Sequence, residues 1–148
     1  MQKITLGLGC FWGPEESFKS KPGIIETEVG YAGGTSAKVT YEEVCTGSTG
    51  HAEVVRLTFD ENVISFKKIL DLFFKMHDPT QKDMQYPDVG TQYRSEIFYE
   101  DEKQKQDALE VFKEFNEKLD GKIQTNISEI KNYCKAEEYH QKYIEKNR

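Results

Sequence analysis

The sequence predicts an α/β (α+β) fold built as a two-layer sandwich, with a mixed β-sheet flanked by helices. Three observations predict it. Short alternating or apolar runs, such as Ala52 to Phe59 (AEVVRLTF), have strand periodicity. Longer runs with apolar residues three and four positions apart, such as Ser65 to Met76, have helical periodicity. The two kinds are interspersed, and some strands follow one another too closely for helical crossovers, so a purely parallel sheet is excluded.

Lys3 to Gly9 reads as a short buried strand entering a turn. Gly13 to Ser20 reads as a helix, because Pro14 suits a first helical turn and Glu15 and Glu16 suit the positive end of the helix dipole. Ile24 to Tyr31 alternates like a strand and runs into the turn Ala32-Gly33-Gly34. Ala52 to Phe59 is the next strand. Phe66, Ile69, Leu70, Phe73 and Phe74 form one helical stripe, which Asp78-Pro79 stops. Lys82 to Thr91 is rich in Pro, Gly, Asp and Gln and reads as a loop. Ser95 to Tyr99 is a strand, Glu102 to Leu119 a long charged helix, Thr125 to Ile130 a last strand, and Glu137 to Lys146 a final short helix.

The 148 residues contain no repeat, linker or low-complexity stretch, so a single domain spanning 1–148 is expected. A net charge of -6 and interleaved Lys and Arg argue against nucleic acid as a partner, since neutralising phosphates takes clustered cations. No run approaches the ~20 apolar residues that span a bilayer. The start MQKITLGLGCFWG has one lysine and too short an apolar run for a signal peptide, so a cytoplasmic protein without membrane partners is expected. Three widely spaced cysteines, Cys10, Cys45 and Cys134, make a poor disulfide framework and suggest free thiols.

Four segments carry chemistry. In Gly9-Cys10-Phe11-Trp12-Gly13 a cysteine sits at a strand-to-helix turn, where backbone N–H groups stabilise an anion and a lowered thiol pKa is expected. Spacing alone is equally compatible with a packed, inert cysteine. In Tyr41 to Glu53 (YEEVCTGSTGHAE) a glycine-containing loop leads to a strand carrying His51 and Glu53 on one face. A carboxyl at the end of an apolar strand can stay protonated and act as a general acid, although a solvated strand end fits the same pattern. Asp88 to Ser95 brings Tyr93, a hydrogen-bond donor suited to a developing oxyanion, into a strand. Ala136 to Tyr143 carries His140 on what could equally be a plain amphipathic surface.

Taken together, these segments resemble the A-type peptide methionine sulfoxide reductase family. GCFWG is complete at Gly9 to Gly13. GYAGG at Gly30 to Gly34, YEEVCTGSTGHAEVV at Tyr41 to Val55, HDPT at His77 to Thr80, GTQYRS at Gly90 to Ser95 and EEYHQKY at Glu137 to Tyr143 follow in family order over nearly the whole chain. The resemblance implies a single catalytic domain with a ferredoxin-like core and no cofactor or metal. It implies Cys10 as nucleophile, Glu53 as the acid that protonates the sulfoxide oxygen, and Tyr41 and Tyr93 as donors to that oxygen. Phe11 and Trp12 become the apolar wall for the S-methyl group, Asp88 an assistant through water, and His140 a support from the C-terminal segment. The substrate implied is the S epimer of methionine sulfoxide, free or within proteins.

The oxidised product at Cys10 is a sulfenic acid, which a second thiol converts to a disulfide that thioredoxin or a similar dithiol reopens. Many family members keep resolving cysteines in a glycine-rich C-terminal tail. This sequence ends Lys146-Asn147-Arg148, so Cys134, just before EEYHQKY, is the expected resolving thiol, with Cys45 the other candidate. A thiol peroxidase is a rival reading, but the aromatics beside Cys10 suit a methyl thioether better than peroxide. A Cys/His metal-binding module is another, but the close ligand pairs of zinc sites are absent.

Overall fold

A computed structural model describes residues 1–147. Its central sheet is ordered β7-β6-β1-β3-β2-β8, where β1 is Gln2–Leu8, β2 Ile24–Ala32, β3 Ala52–Phe59, β6 Ser95–Tyr99, β7 Asn126–Glu129 and β8 Cys134–Lys135. A separate two-stranded hairpin pairs β4 (Met84–Gln85) with β5 (Asp88–Val89). Among the described residues β6 and β7 run parallel and the other neighbours in the large sheet are antiparallel, so the sheet is mixed. The four inner strands β6-β1-β3-β2 give the split βαβ arrangement of a ferredoxin-like core.

Side-chain alternation sorts the sheet into two faces. Ile4, Leu6 and Leu8 of β1, Val29 and Tyr31 of β2, Val55, Leu57 and Phe59 of β3, and Ile97 of β6 join the main core. Against them pack α1 (Trp12–Lys19), α3 (Phe66–Met76) and α4 (Glu102–Lys118) through Phe18, through Ile69, Leu70, Phe73 and Phe74, and through Ala108, Val111 and Phe115. Ala32, Ala52, Val54 and Phe98 point the other way, into a small cluster closed by Ile130 and Tyr133. Buried on both faces, β3 is the sheet's spine. Each fully buried large apolar side chain contributes on the order of 1.5–3 kcal/mol, so this strand is well fixed, and whatever it carries is held rigidly. It carries Glu53, at an odd position and hence on the helix-covered face.

The helix ends are set locally. The Ser65 side chain caps α3 by accepting the Lys68 N–H, and Asp101 caps α4 by accepting the Gln104 N–H. Three segments differ from the sequence expectation. Tyr41–Cys45 is a short helix, α2, started by a capping box in which Thr40 and Glu43 bond each other's backbone N–H. The expected loop at Lys82 to Thr91 contains the β4–β5 hairpin, closed through a cis Tyr86–Pro87 bond. The expected helix Glu137 to Lys146 is broken: a 3₁₀ turn, Glu138–His140, is separated from α5 (Tyr143–Lys146) by Lys142 in the left-handed region, φ 52°. The break frees the Gln141 side chain to act as a strand surrogate, bonding both the N–H and the C=O of Val29 on β2.

Among the described residues no helix is long and apolar enough to cross a membrane.

Candidate active site

β1 delivers Gly9 and Cys10 to the start of α1. Gly9 has φ 95°, and a Cβ there would press on the Gln85 side chain of the β4–β5 hairpin, so glycine lets the hairpin close over the turn. Cys10 follows, half-buried and free of any disulfide. The next backbone N–H, that of Phe11, donates to Glu53 Oε1 at 3.3 Å, and the Trp12 N–H donates toward the Cys10 sulfur. The strand-to-helix turn and the end of β3 are thereby joined, and the nucleophile and acid expected from sequence lie together.

Glu53 is 1% exposed, and its Oε2 has no partner. Burial pushes its carboxyl up to about 7; the Phe11 N–H and the Gln92 side chain hold it down, and Asp88 raises it. A carboxyl of that affinity is partly protonated at neutral pH and can donate a proton. Cys10 departs from expectation. Burial pushes its thiol up to about 11; the Trp12 N–H lowers it, but Glu53 and Asp88 both raise it. The helix start is present as expected, yet desolvation and two facing carboxyls outweigh it. The resting sulfur is a thiol.

Tyr41 opens α2 and Tyr93 closes the 3₁₀ turn Thr91–Tyr93. Burial, then Glu53 and Asp88, push the Tyr93 hydroxyl up to about 12, so it faces both carboxyls as a neutral donor. The Tyr41 hydroxyl is also raised, by burial and by its hydrogen bond to Cys45. Asp88, on β5 of the hairpin, is felt by Cys10, Glu53 and Tyr93 alike.

Phe11 and Trp12 flank the thiol, and His140 stands behind them at the centre of an aromatic cluster. Its ring lies 5.2 Å from Phe11, 5.7 Å from Trp12, 4.6 Å from Tyr41 and 4.1 Å from Tyr139. The Trp12 indole N–H donates to His140 Nδ1 at 3.2 Å, and the indole stacks on Tyr143 at 3.8 Å. His140 therefore accepts at Nδ1, and burial lowers its pKa, keeping the ring neutral for that role.

Residues to which the sequence reading gave no role in the site hold this arrangement. Glu137 accepts from the Tyr31 hydroxyl at 2.7 Å and from the Tyr41 N–H at 2.9 Å; burial opposes its ionisation, but these donors win and lower its pKa. Buried Glu15 accepts from Thr27 and from the Lys142 N–H, tying α1 to the C-terminal segment. Their partners lie up to 127 positions away, so nothing local marked them. His51 precedes β3; its Nε2 meets the Ser36 carbonyl and its ring occupies the space that a side chain at Gly34 would need. It shapes the loop and does not reach Cys10's partners.

The other cysteines are placed differently. Cys45 is exposed at the end of α2 and accepts from Gln92 Nε2 at 3.3 Å. Cys134 on β8 donates weakly to the Val39 carbonyl at 3.6 Å. Tyr31 is paired with Glu53 on one side and Cys134 on the other, so β2 stands between them. Two interstrand spacings, roughly 10 Å, separate Glu53 from Cys134.

A cleft of about 350 Å³ lies near the opposite end of β1 among Gln2, Glu61, Ser65 and Asp101, and no cysteine lines it. Among the described residues, no group of three or more His, Cys, Asp or Glu side chains is placed to hold a metal ion.

Comparisons with known proteins identify the family. Residues 2–148 match the family model described as peptide methionine sulfoxide reductase. Over 146 residues the chain is 59% identical to the peptide methionine sulfoxide reductase MsrA of Pelagibacter ubique, covering 99% of each. It superposes on the solved structure of methionine sulfoxide reductase A of Corynebacterium diphtheriae with a TM-score of 0.95 at 39% identity, covering 99% of this chain and 74% of that one. A second similar structure, Mxr1 from Saccharomyces cerevisiae in complex with Trx2, has a TM-score of 0.69 at 28% identity, covering 96% of this chain and 84% of that one.

Proposed function

The chain belongs to the peptide methionine sulfoxide reductase family and is an oxidoreductase, and from that premise we propose that it reduces the S epimer of methionine sulfoxide through a sulfenic acid on Cys10. The observation that carries the proposal is the joint placement of Cys10 and Glu53 across the Phe11 N–H.

The oxygen of a sulfoxide is a poor leaving group until it is protonated. Glu53, held near neutrality by burial, supplies that proton. Tyr93 and Tyr41 then hold the oxygen; for Tyr41 this means leaving Cys45. One such donor is worth about 3 kcal/mol. Phe11 and Trp12 grip the S-methyl group, and Trp12 is kept in place by His140 and Tyr143. Asp88 assists through water on the hairpin side.

Because the resting thiol is protonated, activation comes with the substrate. Protonating Glu53 removes one of the two negative charges facing Cys10, and the Trp12 N–H then favours the thiolate. The Cys10 sulfur bonds to the sulfoxide sulfur as the S–O bond breaks and the protonated oxygen leaves as water; water then adds to Cys10 and the S–S bond breaks, its electron pair leaving on the methionine sulfur. Methionine leaves reduced by two electrons, and Cys10 is oxidised to –SOH. A second thiol condenses with –SOH, releasing water and leaving a disulfide, which a thioredoxin-type dithiol opens by exchange. The yeast Mxr1–Trx2 complex supports that class of reductant. Cys134 is the proposed resolving thiol. It sits on a two-residue edge strand, which can leave β2 at the cost of few backbone bonds. We place the reaction in the cytoplasm, on free or protein-bound substrate, within a single catalytic domain.

Stereospecific turnover tests the proposal: the S epimer is consumed and the R epimer persists. Equal consumption of both, or of R alone, contradicts it.

A further inference from the structure

A carboxyl taken out of water costs free energy unless donors take up its oxygens. Glu15 on α1 is 1% exposed, and each of its oxygens has a donor from a different element. The Thr27 hydroxyl on β2 donates to Oε2 at 2.8 Å, and the Lys142 backbone N–H donates to Oε1 at 2.6 Å. The Lys142 ammonium adds a tie of its own, donating to the Thr27 carbonyl at 3.3 Å. No step of the reaction uses the Glu15 carboxyl. It does lie where the support of Trp12 is built. Trp12 stands three positions before Glu15 on α1, so the two side chains are neighbours along one side of the helix. Lys142 lies between His140, which accepts the indole N–H at 3.2 Å, and Tyr143, which stacks on the indole at 3.8 Å. With φ 52°, Lys142 holds a left-handed conformation, which a residue other than glycine keeps only where its surroundings impose it.

We propose that Glu15 is a positioning residue for the substrate pocket: by holding the Lys142 N–H it sets the chain reversal that brings His140 to the edge and Tyr143 to the face of Trp12. The inference rests on the role given to Trp12 above, as part of the wall that grips the S-methyl group. Glu15 acts through Lys142 on the two residues that hold this wall. The wall and the reacting groups are anchored separately, since Glu53 is tied to the Phe11 N–H. A loosened wall therefore weakens substrate binding and leaves the chemistry in place, so the loss falls on KM and not on kcat.

Trp12 is the one tryptophan in the sequence, so its fluorescence reads the arrangement without turnover. Glu15→Met keeps the length of the side chain and removes both acceptors. Its emission should shift to longer wavelength and be quenched more readily by acrylamide. Its KM for methionine sulfoxide should rise about fivefold, with kcat changed less than about twofold. Glu15→Gln keeps an oxygen for the Lys142 N–H and an amide that can donate to the Thr27 hydroxyl, so emission, quenching and KM should stay near those of the unaltered chain. All are measured well below the unfolding transition, where a loss of stability alone moves none of them. Unmoved emission and quenching in Glu15→Met overturn the inference, as does a Glu15→Gln as perturbed as Glu15→Met. If Glu15→Met does not fold, Thr27→Val takes its place, because it keeps the side-chain shape and frees one carboxyl oxygen. It should shift emission and KM the same way by less, and no shift in emission overturns the inference. A shifted emission with an unmoved KM upholds the hold on Trp12 and counts instead against the part of Trp12 in the wall.

Discussion

The backbone N–H of Phe11 donates to the side chain of Glu53 at 3.3 Å, so the residue after the nucleophile is bonded directly to the proposed acid. The bond fixes where the proton sits relative to the sulfur. Glu53→Gln retains an amide that can donate a hydrogen bond but cannot give up a proton, so partial activity is expected, lower by roughly 10²-fold or more. Glu53→Ala should fall further. Steady-state kcat/KM on methionine sulfoxide checks both, and full activity in Glu53→Ala refutes the acid role.

The same carboxyl imposes a stability cost that depends on pH. Its folded pKa, about 7, lies above the ordinary value of 4.5, so the folded chain binds the proton more tightly than the unfolded chain. Stability is therefore full below pH 4.5 and declines as pH rises through 7. The loss is of the order of 3 kcal/mol. Glu53→Gln should be relatively more stable than the unaltered chain at pH 8, with the difference shrinking towards pH 4. Urea denaturation at both pH values measures it.

His77 works in the opposite sense. Its Nδ1 meets the Phe73 carbonyl and its Nε2 the Ser95 hydroxyl, both at 2.7 Å, and burial pushes its pKa down to about 4. The folded chain resists protonation there, so this contribution to stability is lost as pH falls from 6.5 through 4. Ser95→Ala should cost about 1–3 kcal/mol at pH 7, because a buried acceptor loses its donor. No loss in thermal or urea stability would dismiss the network.

Trp12 depends on an accepting His140 nitrogen. His140→Ala should raise KM for methionine sulfoxide severalfold while lowering kcat less, since it loosens the wall that grips the methyl group and leaves the sulfur in place. A change confined to kcat would show that His140 acts on the chemistry.

Much of this was legible in the sequence. β3 and β6 were read with their observed ends because alternation with β-branched and aromatic residues is a strong local signal. Cys10 and Glu53 stood out at a strand-to-helix turn and a strand end, but those local features left both open, and their roles came from the resemblance to the family. α2 was missed although Thr40 and Glu43 carried a capping-box spacing; its five residues are too short for periodicity. The C-terminal break was illegible because a lysine, Lys142, holds the left-handed conformation that glycine usually marks. It is held there by Glu15 accepting its N–H from across the chain. The fate of the Cys10 thiol was read wrongly because burial and the facing Asp88 are products of the fold. Only the helix start is visible locally.

Cys134 lies on the edge strand β8, across β2 from Glu53. With thioredoxin, Cys134→Ser should lose turnover, whereas a small dithiol reductant should sustain it. Peptide mapping of enzyme oxidised by substrate without reductant should find a Cys10–Cys134 bond. A Cys10–Cys45 bond, or a persistent sulfenic acid, removes Cys134 from the pathway.

The most direct measurement is a single turnover of S-methionine sulfoxide without reductant, following methionine released and the oxidation state of each cysteine by mass spectrometry. One methionine per chain, with oxidation that begins on Cys10 and is absent in Cys10→Ser, is the predicted result. Methionine formed by Cys10→Ser, or oxidation that spares Cys10, would contradict the account.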